Sequence, residues 1–517
     1  MINLDGMNLD QKIGQVMVIG FDGVEISPEL EEMIHRYHIG GIVYFARNVQ
    51  SPGQLGELTN QLQIRATAAG LPGLWISIDQ EGGRVARLTE KQGFTEIPGA
   101  MAIGATGSLD TAREATEILG MELKVLGINM DYAPCVDVNI NPANPVIGIR
   151  SYGSDPQQVG VFGEKIIHTL QGLGVAAVAK HFPGHGDTGV DSHTSLPSIE
   201  HDLKQVEMFD LPPFQVGALA GVAGVMIGHL TFPGINQPDG LPATLSTQIY
   251  DNLLRKRLAY KGLAITDCLD MGALTTSGFS TPLAAAMALQ AGADVLLFNR
   301  DHEVHRAAFQ LIRDWVMDGK IPPSRLEEAV RRNLSAKALF GVLEPKLTDP
   351  IEIRRIVGSE MHRDASRRMA GQAITVVKNK GNLLPLCRSE RVLVIEHPAA
   401  EGLGKMIGAE TLKISDKPAR NENNFALSAA ADGKVVIVTT ADANRIPQQA
   451  ELVRNLVSEQ VPLIVIAVRN PYDLLAFPEV QTYIVTYGSN PPTMDALAAV
   501  LTGKMTAQGK LPVDISL

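Results

Sequence analysis

The chain has 517 residues, of which 45% are hydrophobic, and this length favours roughly two to four globular domains with large cores. Its formal net charge is −11 and it has no long run of lysine and arginine, which argues against a nucleic-acid groove. No apolar stretch reaches the length of a membrane span. The cysteines, Cys135, Cys268 and Cys387, are odd in number and far apart, so they need no disulfide framework and suit a reducing compartment.

Short apolar runs that end in polar loops dominate the first part of the chain. Eight of them lie at residues 16–21, 41–45, 74–79, 128–134, 175–180, 224–229, 263–267 and 294–298. Helical segments such as residues 110–126 and 282–291 separate most of these runs, and such alternation predicts a parallel sheet. Eight strand–helix units predict a (β/α)8 barrel of the TIM type over residues 1–340.

The pattern restarts after residue 340. Residues 341–370 contain two prolines and an arginine-rich helical segment, and they predict a linker. New strand-like runs follow at residues 373–378, 391–396, 435–440, 463–469 and 483–487. A second, smaller α/β domain over residues 371–517 agrees with ordinary domain sizes. It shows no acidic cluster that suggests catalysis.

Polar side chains collect at the carboxyl ends of the runs in the first part of the chain. Barrel enzymes keep their active sites at this edge, where the loops that follow the strands meet. The predicted active-site face carries Asp79, Asp131, Lys180, His181, His229 and Asp267.

The segment 180–193 is the richest of these strand ends and reads Lys-His-Phe-Pro-Gly-His-Gly-Asp-Thr-Gly-Val-Asp-Ser-His. A zinc site of the helical His-Glu-x-x-His type needs two histidines one turn apart on a helix. Pro183 and Gly184 lie between His181 and His185 and disfavour that helix. We therefore expect no metal in this loop.

Two other interpretations of the segment are open. A structural loop would use its histidines to bond backbone carbonyls. Acid–base chemistry would use Asp191 and His193, which are two residues apart and project to one side of an extended segment. A carboxylate beside an imidazole fixes its tautomer and favours its charged, proton-donating form. The clustering of ionisable groups favours the acid–base interpretation.

Other short motifs carry little weight. Residues 172–177 fit the dinucleotide fingerprint, but they lead into a predicted strand, whereas that fingerprint follows a strand and opens a helix. Neither a Gly-x-Ser-x-Gly elbow nor a Walker-type loop occurs. We expect no organic cofactor.

The segment 180–193 and four further ordered blocks of the sequence are similar to the signatures of one family. The four blocks are residues 15–17 (Gln-Val-Met), 78–87 (Ile-Asp-Gln-Glu-Gly-Gly-Arg-Val-Ala-Arg), 144–153 (Asn-Pro-Val-Ile-Gly-Ile-Arg-Ser-Tyr-Gly) and 264–267 (Ala-Ile-Thr-Asp). With them the chain resembles glycoside hydrolase family 3 in its bacterial β-N-acetylhexosaminidase branch. The resemblance implies that the second domain is the αβα sandwich that follows the barrel in many members.

Asp267 is the candidate nucleophile. It ends the run 263–267, which places a carboxylate at the barrel mouth, where a retaining glycosidase needs one. Position alone fits a cap on the following helix equally well. The resemblance implies the nucleophile role for Asp267, and the neighbouring Asp270 ranks below it.

The resemblance also implies an unusual acid and base. In this branch the histidine of the Asp-Ser-His block, here His193, protonates the leaving oxygen and then activates water, and Asp191 holds it. An imidazole can give and recover a proton near neutral pH. His185 is the rival in the same loop.

Five charged or polar positions match the family's sugar-binding residues, and such groups make the strong hydrogen bonds that clamp hydroxyls. They are Asp79, Arg87, Arg150, Lys180 and His181. A salt bridge between Asp79 and an arginine and ordinary surface charge for Arg87 are the alternatives. His229 and Asp131 have no assigned role.

The resemblance implies an exo-acting, retaining β-N-acetylglucosaminidase that acts on cell-wall fragments or chitooligosaccharides without metal or organic cofactor. A β-N-acetylglucosaminide phosphorylase and a non-catalytic carbohydrate-binding protein are the alternatives. The expected partner is a carbohydrate, neither nucleic acid nor membrane, and the oligomeric state stays open. The first six residues lack the pattern of a secretory signal, so the cytoplasm is expected, although two-domain relatives in the resembled branch are often exported.

Overall fold

The structure is a computed structural model that describes residue 4 and residues 6–192, 194–235, 240–387, 391–431 and 433–515. Its first sheet has the strands β1 (Met17–Ile19), β2 (Gly41–Tyr44), β3 (Trp75–Ile78), β4 (Met130–Asp131), β5 (Ala176–Phe182), β6 (Gly224–Ile227), β7 (Leu263–Thr266) and β8 (Leu296–Phe298). All pair in parallel, in the order β7-β6-β5-β4-β3-β2-β1-β8. A parallel bridge between Ile265 and Val295 brings β7 next to β8. The predicted (β/α)8 barrel is confirmed.

Helices surround this barrel. They are α1 (Leu9–Gln15), α2 (Pro28–His35), α3 (Pro52–Ala68), α4 (Ala100–Thr106), α5 (Leu109–Val125), α6 (Pro156–Gly172), α7 (Leu203–Gln205), α8 (Leu211–Leu219), α9 (Gly272–Thr275), α10 (Thr281–Ala291), α11 (His302–Met317) and α12 (Pro323–Leu339), with π-helical segments at Val206–Asp210 and Gln248–Arg257. Capping side chains and prolines mark where several of these helices begin. Ser51 caps α3 and Asp155 caps α6 by accepting from backbone N–H groups, and a proline follows each cap.

Side chains fill the barrel interior. Trp75, Met130, Tyr132, Val178 and Ile265 belong to this inner core, and all are buried. A larger apolar layer joins the outer faces of the strands to the helices. Because the interior is packed, the loops at the carboxyl ends of the strands are left to build a site.

A second sheet forms after the barrel. Its strands are β9 (Thr375–Asn379), β10 (Val392–Glu396), β11 (Glu410–Lys413), β12 (Val435–Thr440), β13 (Leu463–Ala467) and β14 (Thr482–Val485). They pair in the order β11-β10-β12-β13-β14-β9, with only β9 antiparallel. The strand β11 was not predicted, because it is a mostly exposed edge strand without an apolar run.

Helices cover both faces of the second sheet. They are α15 (Leu403–Ile407), α16 (Arg420–Ala430), α17 (Pro447–Ser458) and α18 (Pro491–Leu501), which follow α13 (Pro350–Ile356) and α14 (Glu360–Ala373) in chain order. One apolar layer contains residues of α16 and α17, and the other contains residues of α15 and α18. The predicted αβα sandwich is confirmed.

The segment between the two sheets is helical. The helix α13 packs against α3 and α5, while α14 packs against α4, α5 and α18. We keep the division into residues 1–340, 341–370 and 371–517 as a proposal. Across the described part of the chain, no helix has both the length and the apolar character that spanning a membrane requires.

Candidate active site

A buried ion-pair network occupies the carboxyl ends of β3 and β5. The ammonium of Lys180 lies 2.8 Å from a carboxylate oxygen of Asp79 and 2.7 Å from one of Glu81. Arg87 donates to the other oxygen of Asp79 at 3.3 Å. Burial opposes ionisation of Asp79, but the charges of Lys180 and Arg87 outweigh it and hold its pKa below the ordinary value.

Arg150 joins this network through Glu81. Its guanidinium donates to both oxygens of Glu81, at 2.9 and 2.7 Å, and its Nη2 lies 3.3 Å from Nε2 of His181. Burial opposes the charge on Glu81, yet Arg150 and Lys180 lower its pKa. All five predicted sugar-binding residues therefore lie in one connected cluster. The salt bridge between Asp79 and an arginine, which was the alternative to sugar binding, is also present, because Arg87 pairs with Asp79 inside this cluster.

Glu81 and Asp137 belong to the cluster but were not predicted. Asp137 is fully buried, accepts from Nδ1 of His181 at 2.6 Å, and also accepts from the backbone N–H groups of His181 and His185. Glu81 lies three residues after β3 and Asp137 six residues after β4. The sequence did show that both residues lie in polar loops that follow strands. It did not show their partners, because those come from loops far away in the chain.

Asp267 follows β7 directly and faces the same region. Its Oδ1 accepts from the backbone N–H of Cys268 at 2.7 Å. Burial raises its pKa most, but the charges of His229 and His181 and this hydrogen bond bring the pKa below the ordinary value. The following helix is not capped by Asp267, because its N-cap is Met271. The alternative of a capping role is therefore wrong.

Asp270 has a structural role instead. Its Oδ2 accepts from the backbone N–H of Asn299 at 2.7 Å, which ties the loop after β7 to the loop after β8. Burial raises the pKa of Asp270 above its ordinary value. The structure thus gives Asp270 a contact between loops, whereas Asp267 bonds only to the next residue of its own loop among the hydrogen bonds described.

The residues that sequence analysis left unassigned frame the site. His229 lies within hydrogen-bond distance of the Cys268 carbonyl, at 2.9 Å, and of the Thr244 hydroxyl, at 2.7 Å. It therefore braces the loop of Asp267. Asp131 is fully buried, and burial raises its pKa well above the ordinary value. It accepts from the backbone N–H of Gln80 at 2.9 Å.

The predicted acid–base loop is described except at His193, which lies outside the described residues. His185 is buried, with its ring nitrogens 2.9 Å from the Thr188 hydroxyl and 3.0 Å from the Ser192 hydroxyl. Burial, followed by repulsion from His181, lowers its pKa to about 4. The backbone carbonyl of Asp191 accepts from the N–H groups of Thr194 and Ser195. His185 is thus an internal brace next to the Asp191 turn.

A second histidine anchors this loop from outside. His201 lies 3.0 Å from Asp187 through Nε2 and 2.7 Å from Asp210 through Nδ1. The hydrogen bond to Asp210 is the largest cause that raises the pKa of His201, and the charge of Asp187 adds to it. The loop is therefore tied to the π-helical segment before α8.

One group of side chains has the composition of a metal site. Ligand atoms of Cys135, Asp137 and His181 all lie within 4.8 Å of one another. The Cys135 thiol and the His181 ring both bond to the same oxygen of Asp137, at 3.3 and 2.6 Å. Burial raises the pKa of the Cys135 thiol well above its ordinary value, so the protein environment opposes the thiolate that a metal would need.

Comparisons with known proteins find the same family over most of the chain. The Glycosyl hydrolase family 3 N terminal domain matches residues 8–336, and the Glycosyl hydrolase family 3 C-terminal domain matches residues 374–516. Beta-hexosaminidase A of Pseudoalteromonas piscicida is 33% identical and is covered over 92% of its length by 95% of this chain. The beta-N-acetylglucosaminidase/beta-glucosidase of Cellulomonas fimi is 30% identical, with 94% of it and 98% of this chain covered.

Solved structures extend the comparison. A glycoside hydrolase family 3 beta-N-acetylglucosaminidase from Paenibacillus sp. str. FPU-7 superposes with a TM-score of 0.91 and 36% identity, covering 98% of this chain and 99% of that chain. A beta-glucoside phosphorylase has a TM-score of 0.84 at 23% identity, which shows a shared fold alone.

The barrel, the cluster at its carboxyl edge and these relatives together define the class of the protein, which is a glycoside hydrolase. Within that class the assignment is equally direct. The chain belongs to glycosyl hydrolase family 3, because the two matched domains of this family account for both of its sheets.

Proposed function

We propose that the chain is an exo-acting, retaining β-N-acetylglucosaminidase. The observation that carries the proposal is the position of the Asp267 carboxylate, which follows β7 directly and lies beside the buried cluster that contains Lys180 and His181. Relatives named for β-hexosaminidase or β-N-acetylglucosaminidase activity cover nearly the whole chain and support the choice of sugar.

The first step of the proposed reaction forms a glycosyl-enzyme. Asp267 attacks the anomeric carbon, and the bond to the leaving oxygen breaks as His193 protonates that oxygen. Asp191 orients the imidazole and favours its protonated form. In the second step the neutral His193 takes a proton from water, which attacks the anomeric carbon and releases Asp267.

Sugar binding is assigned to Asp79, Arg87, Arg150, Lys180 and His181. Their mutual ion pairs fix the side chains before a substrate arrives, so less ordering entropy is lost on binding. Charged groups also make the stronger hydrogen bonds to sugar hydroxyls. This preorganised cluster supports binding of the terminal sugar of cell-wall fragments or chitooligosaccharides.

The location of the protein is also a proposal. Cys135 is buried, and no disulfide joins it to Cys268 or Cys387 in the described part of the chain. This arrangement suits a reducing compartment and supports the cytoplasm.

A panel of aryl β-glycosides, measured with and without phosphate, tests the function. We expect release of the aryl group from the N-acetylglucosaminide at least tenfold faster than from the glucoside, with free sugar as the product. Sugar 1-phosphate as the main product at millimolar phosphate would establish a phosphorylase instead. Absence of turnover, together with measurable binding of N-acetylglucosamine, would establish a carbohydrate-binding protein.

A further inference from the structure

A small cavity lies between the barrel and the second domain. It has a volume of about 120 Å³. Arg84 and Ile149 line it from the barrel loops, while Arg469 and Asn490 line it from loops at the carboxyl edge of the second sheet. Among its described lining residues, two side chains are cationic and none is acidic. Ligands of parallel α/β sheets bind outside this same edge of the strands.

The arginines around the cavity outnumber their carboxylate partners. Asp442 is the nearest acid, and it lies 2.9 Å from Arg469 and 4.0 Å from Arg445, while Asn470 also donates to it at 2.6 Å. Within the described ranges Arg84 makes no hydrogen bond or ion pair with protein. One carboxylate therefore faces three guanidinium groups, which leaves an excess of positive charge.

One other group at the cavity, the side-chain amide of Asn490, is a hydrogen-bond donor that lacks an acceptor among the described residues. The amide nitrogen of Asn490 is inaccessible to solvent and has no hydrogen-bond partner, whereas its oxygen accepts from the Thr493 hydroxyl. Partial desolvation, followed by repulsion from Arg469, lowers the pKa of Arg84. A buried donor without an acceptor is costly, and this applies to the amide nitrogen of Asn490, whereas Arg84 is an exposed residue whose guanidinium is free to meet a ligand from solvent.

We propose that this cavity binds an oxyanion, a carboxylate or phosphate group, held by Arg84 and Arg469 across the two domains. Guanidinium groups bind such anions with two parallel hydrogen bonds. The anion satisfies donors from both domains and so strengthens their contact.

The position of the cavity along the chain relates it to the sugar site. Arg84 is three residues after Glu81, and Ile149 directly precedes Arg150, so both walls continue segments of the ion-pair network. Two sources can supply the oxyanion: an acid group on the leaving portion of the substrate, or free phosphate. The first source rests on the proposed function, and the second does not.

Thermal unfolding with inorganic phosphate tests the cavity itself. In the wild type, millimolar phosphate should raise Tm by about 2 °C or more, because a ligand that binds only the folded state stabilises it. Arg84→Gln should abolish the shift and Arg84→Lys should keep part of it. Arg36→Gln, at a side chain 72% exposed directly after α2, is the matched control and should keep all of it.

Steady-state kinetics with two matched substrates identify whether the substrate or free phosphate supplies the oxyanion. We compare N-acetylglucosaminides whose leaving sugar carries or lacks a carboxylate ether. If the substrate supplies the anion, Arg84→Gln should raise KM about tenfold for the acidic substrate only, and phosphate should compete with that substrate in the wild type. If phosphate is the ligand, both substrates should respond equally to Arg84→Gln.

Two results would overturn the oxyanion site. One is a wild type in which phosphate changes neither Tm nor the preference for the acidic substrate. The other is an Arg84→Gln variant that keeps the full phosphate shift and the full preference. If the wild type had no glycosidase activity, only the proposed function would be contradicted. The oxyanion site would still be tested, because thermal unfolding with phosphate needs no turnover.

Discussion

Asp267, the proposed nucleophile, lies in an environment that keeps its carboxylate charged. Desolvation disfavours its carboxylate, but the surrounding histidine charges and the N–H of Cys268 stabilise it more, so the pKa falls below its ordinary value. The carboxylate is therefore ionised throughout the pH range in which an imidazole acid works. Asp270, three residues on, has the opposite shift because burial dominates there.

Replacing Asp267 and Asp270 one at a time tests which of the two carboxylates is the nucleophile. Asp267→Asn should lower kcat by about three orders of magnitude or more, because an amide cannot form the glycosyl ester. Asp270→Asn is the control, since its amide oxygen can still accept from Asn299. Steady-state rates on an aryl N-acetylglucosaminide measure both. A larger loss in Asp270→Asn than in Asp267→Asn would reverse the assignment.

Leaving-group dependence tests the proposal that His193 is the acid. His193→Ala should slow cleavage of a chitooligosaccharide by about 10²–10⁴-fold, yet spare the first step with a dinitrophenyl glycoside, which needs no acid. Added azide should rescue the second step and give a β-glycosyl azide.

His185→Gln provides the comparison for that test. It removes the brace between Thr188 and Ser192 but leaves His193 in place, so good and poor leaving groups should slow by a similar factor. If His185→Gln shows the strong leaving-group dependence and His193→Ala does not, the acid is His185.

At the scale of elements, the loop after β5 depends on an ion-pair anchor. Both ring nitrogens of His201 face carboxylates, those of Asp187 and Asp210, so the protonated ring satisfies both. Asp137 lies near enough to raise the pKa of Asp210 further, but burial is the main cause of that shift. The raised pKa of His201 means that its stabilising effect is lost as the pH rises through the raised value, while the pKa of Asp210, which burial raises to about 6, limits the charged pair at lower pH.

Hydrogen exchange across pH tests this anchor. Protection of residues 186–192, corrected for intrinsic exchange, should fall in the wild type as the pH rises above the pKa of His201. His201→Gln should show low protection at every pH, and Asp187→Asn should behave similarly because it removes the same ion pair. Protection that is independent of pH in the wild type would mean that charge on His201 does not hold the loop.

Sequence patterns predicted elements better than contacts between them. The eight barrel strands were predicted because each is a short, fully buried apolar run, whereas β11 was missed because its side chains are mostly exposed. Glu81 and Asp137 were missed for another reason. A carboxylate in a loop has no distinctive local pattern, and its role depends on Lys180, Arg150 or His181 arriving from other loops.

At the scale of the whole molecule, the sequence pattern likewise did not predict which residues of the two domains come together. The restart of the strand pattern predicted a second α/β domain, but nothing in it paired Arg84 with Arg469 across the cavity. The sequence pattern also did not predict that a lysine is buried in the barrel domain. Lys337 is fully buried there and donates to Gln15 at 3.0 Å, and burial lowers its pKa to about 7.

The buried lysine predicts how stability depends on pH. The unfolded chain binds a proton at Lys337 that the folded chain releases between about pH 7 and 10, so the free energy of unfolding should rise with pH in that range. Lys337→Met should remove this dependence and raise the free energy of unfolding at pH 7 by about 2–4 kcal/mol. Urea unfolding at several pH values measures both. Equal pH slopes in variant and wild type would show that the buried amine does not titrate in this range.

Trapping the covalent intermediate tests the central claim most directly. Incubation with a 5-fluoro-N-acetylglucosaminyl fluoride of β configuration should add the mass of one sugar to the intact protein, because fluorine slows the second step more than the first. Peptide mapping should place the sugar on Asp267. A sugar on Asp270 or elsewhere, or an unmodified enzyme that releases product of inverted configuration, would contradict the account.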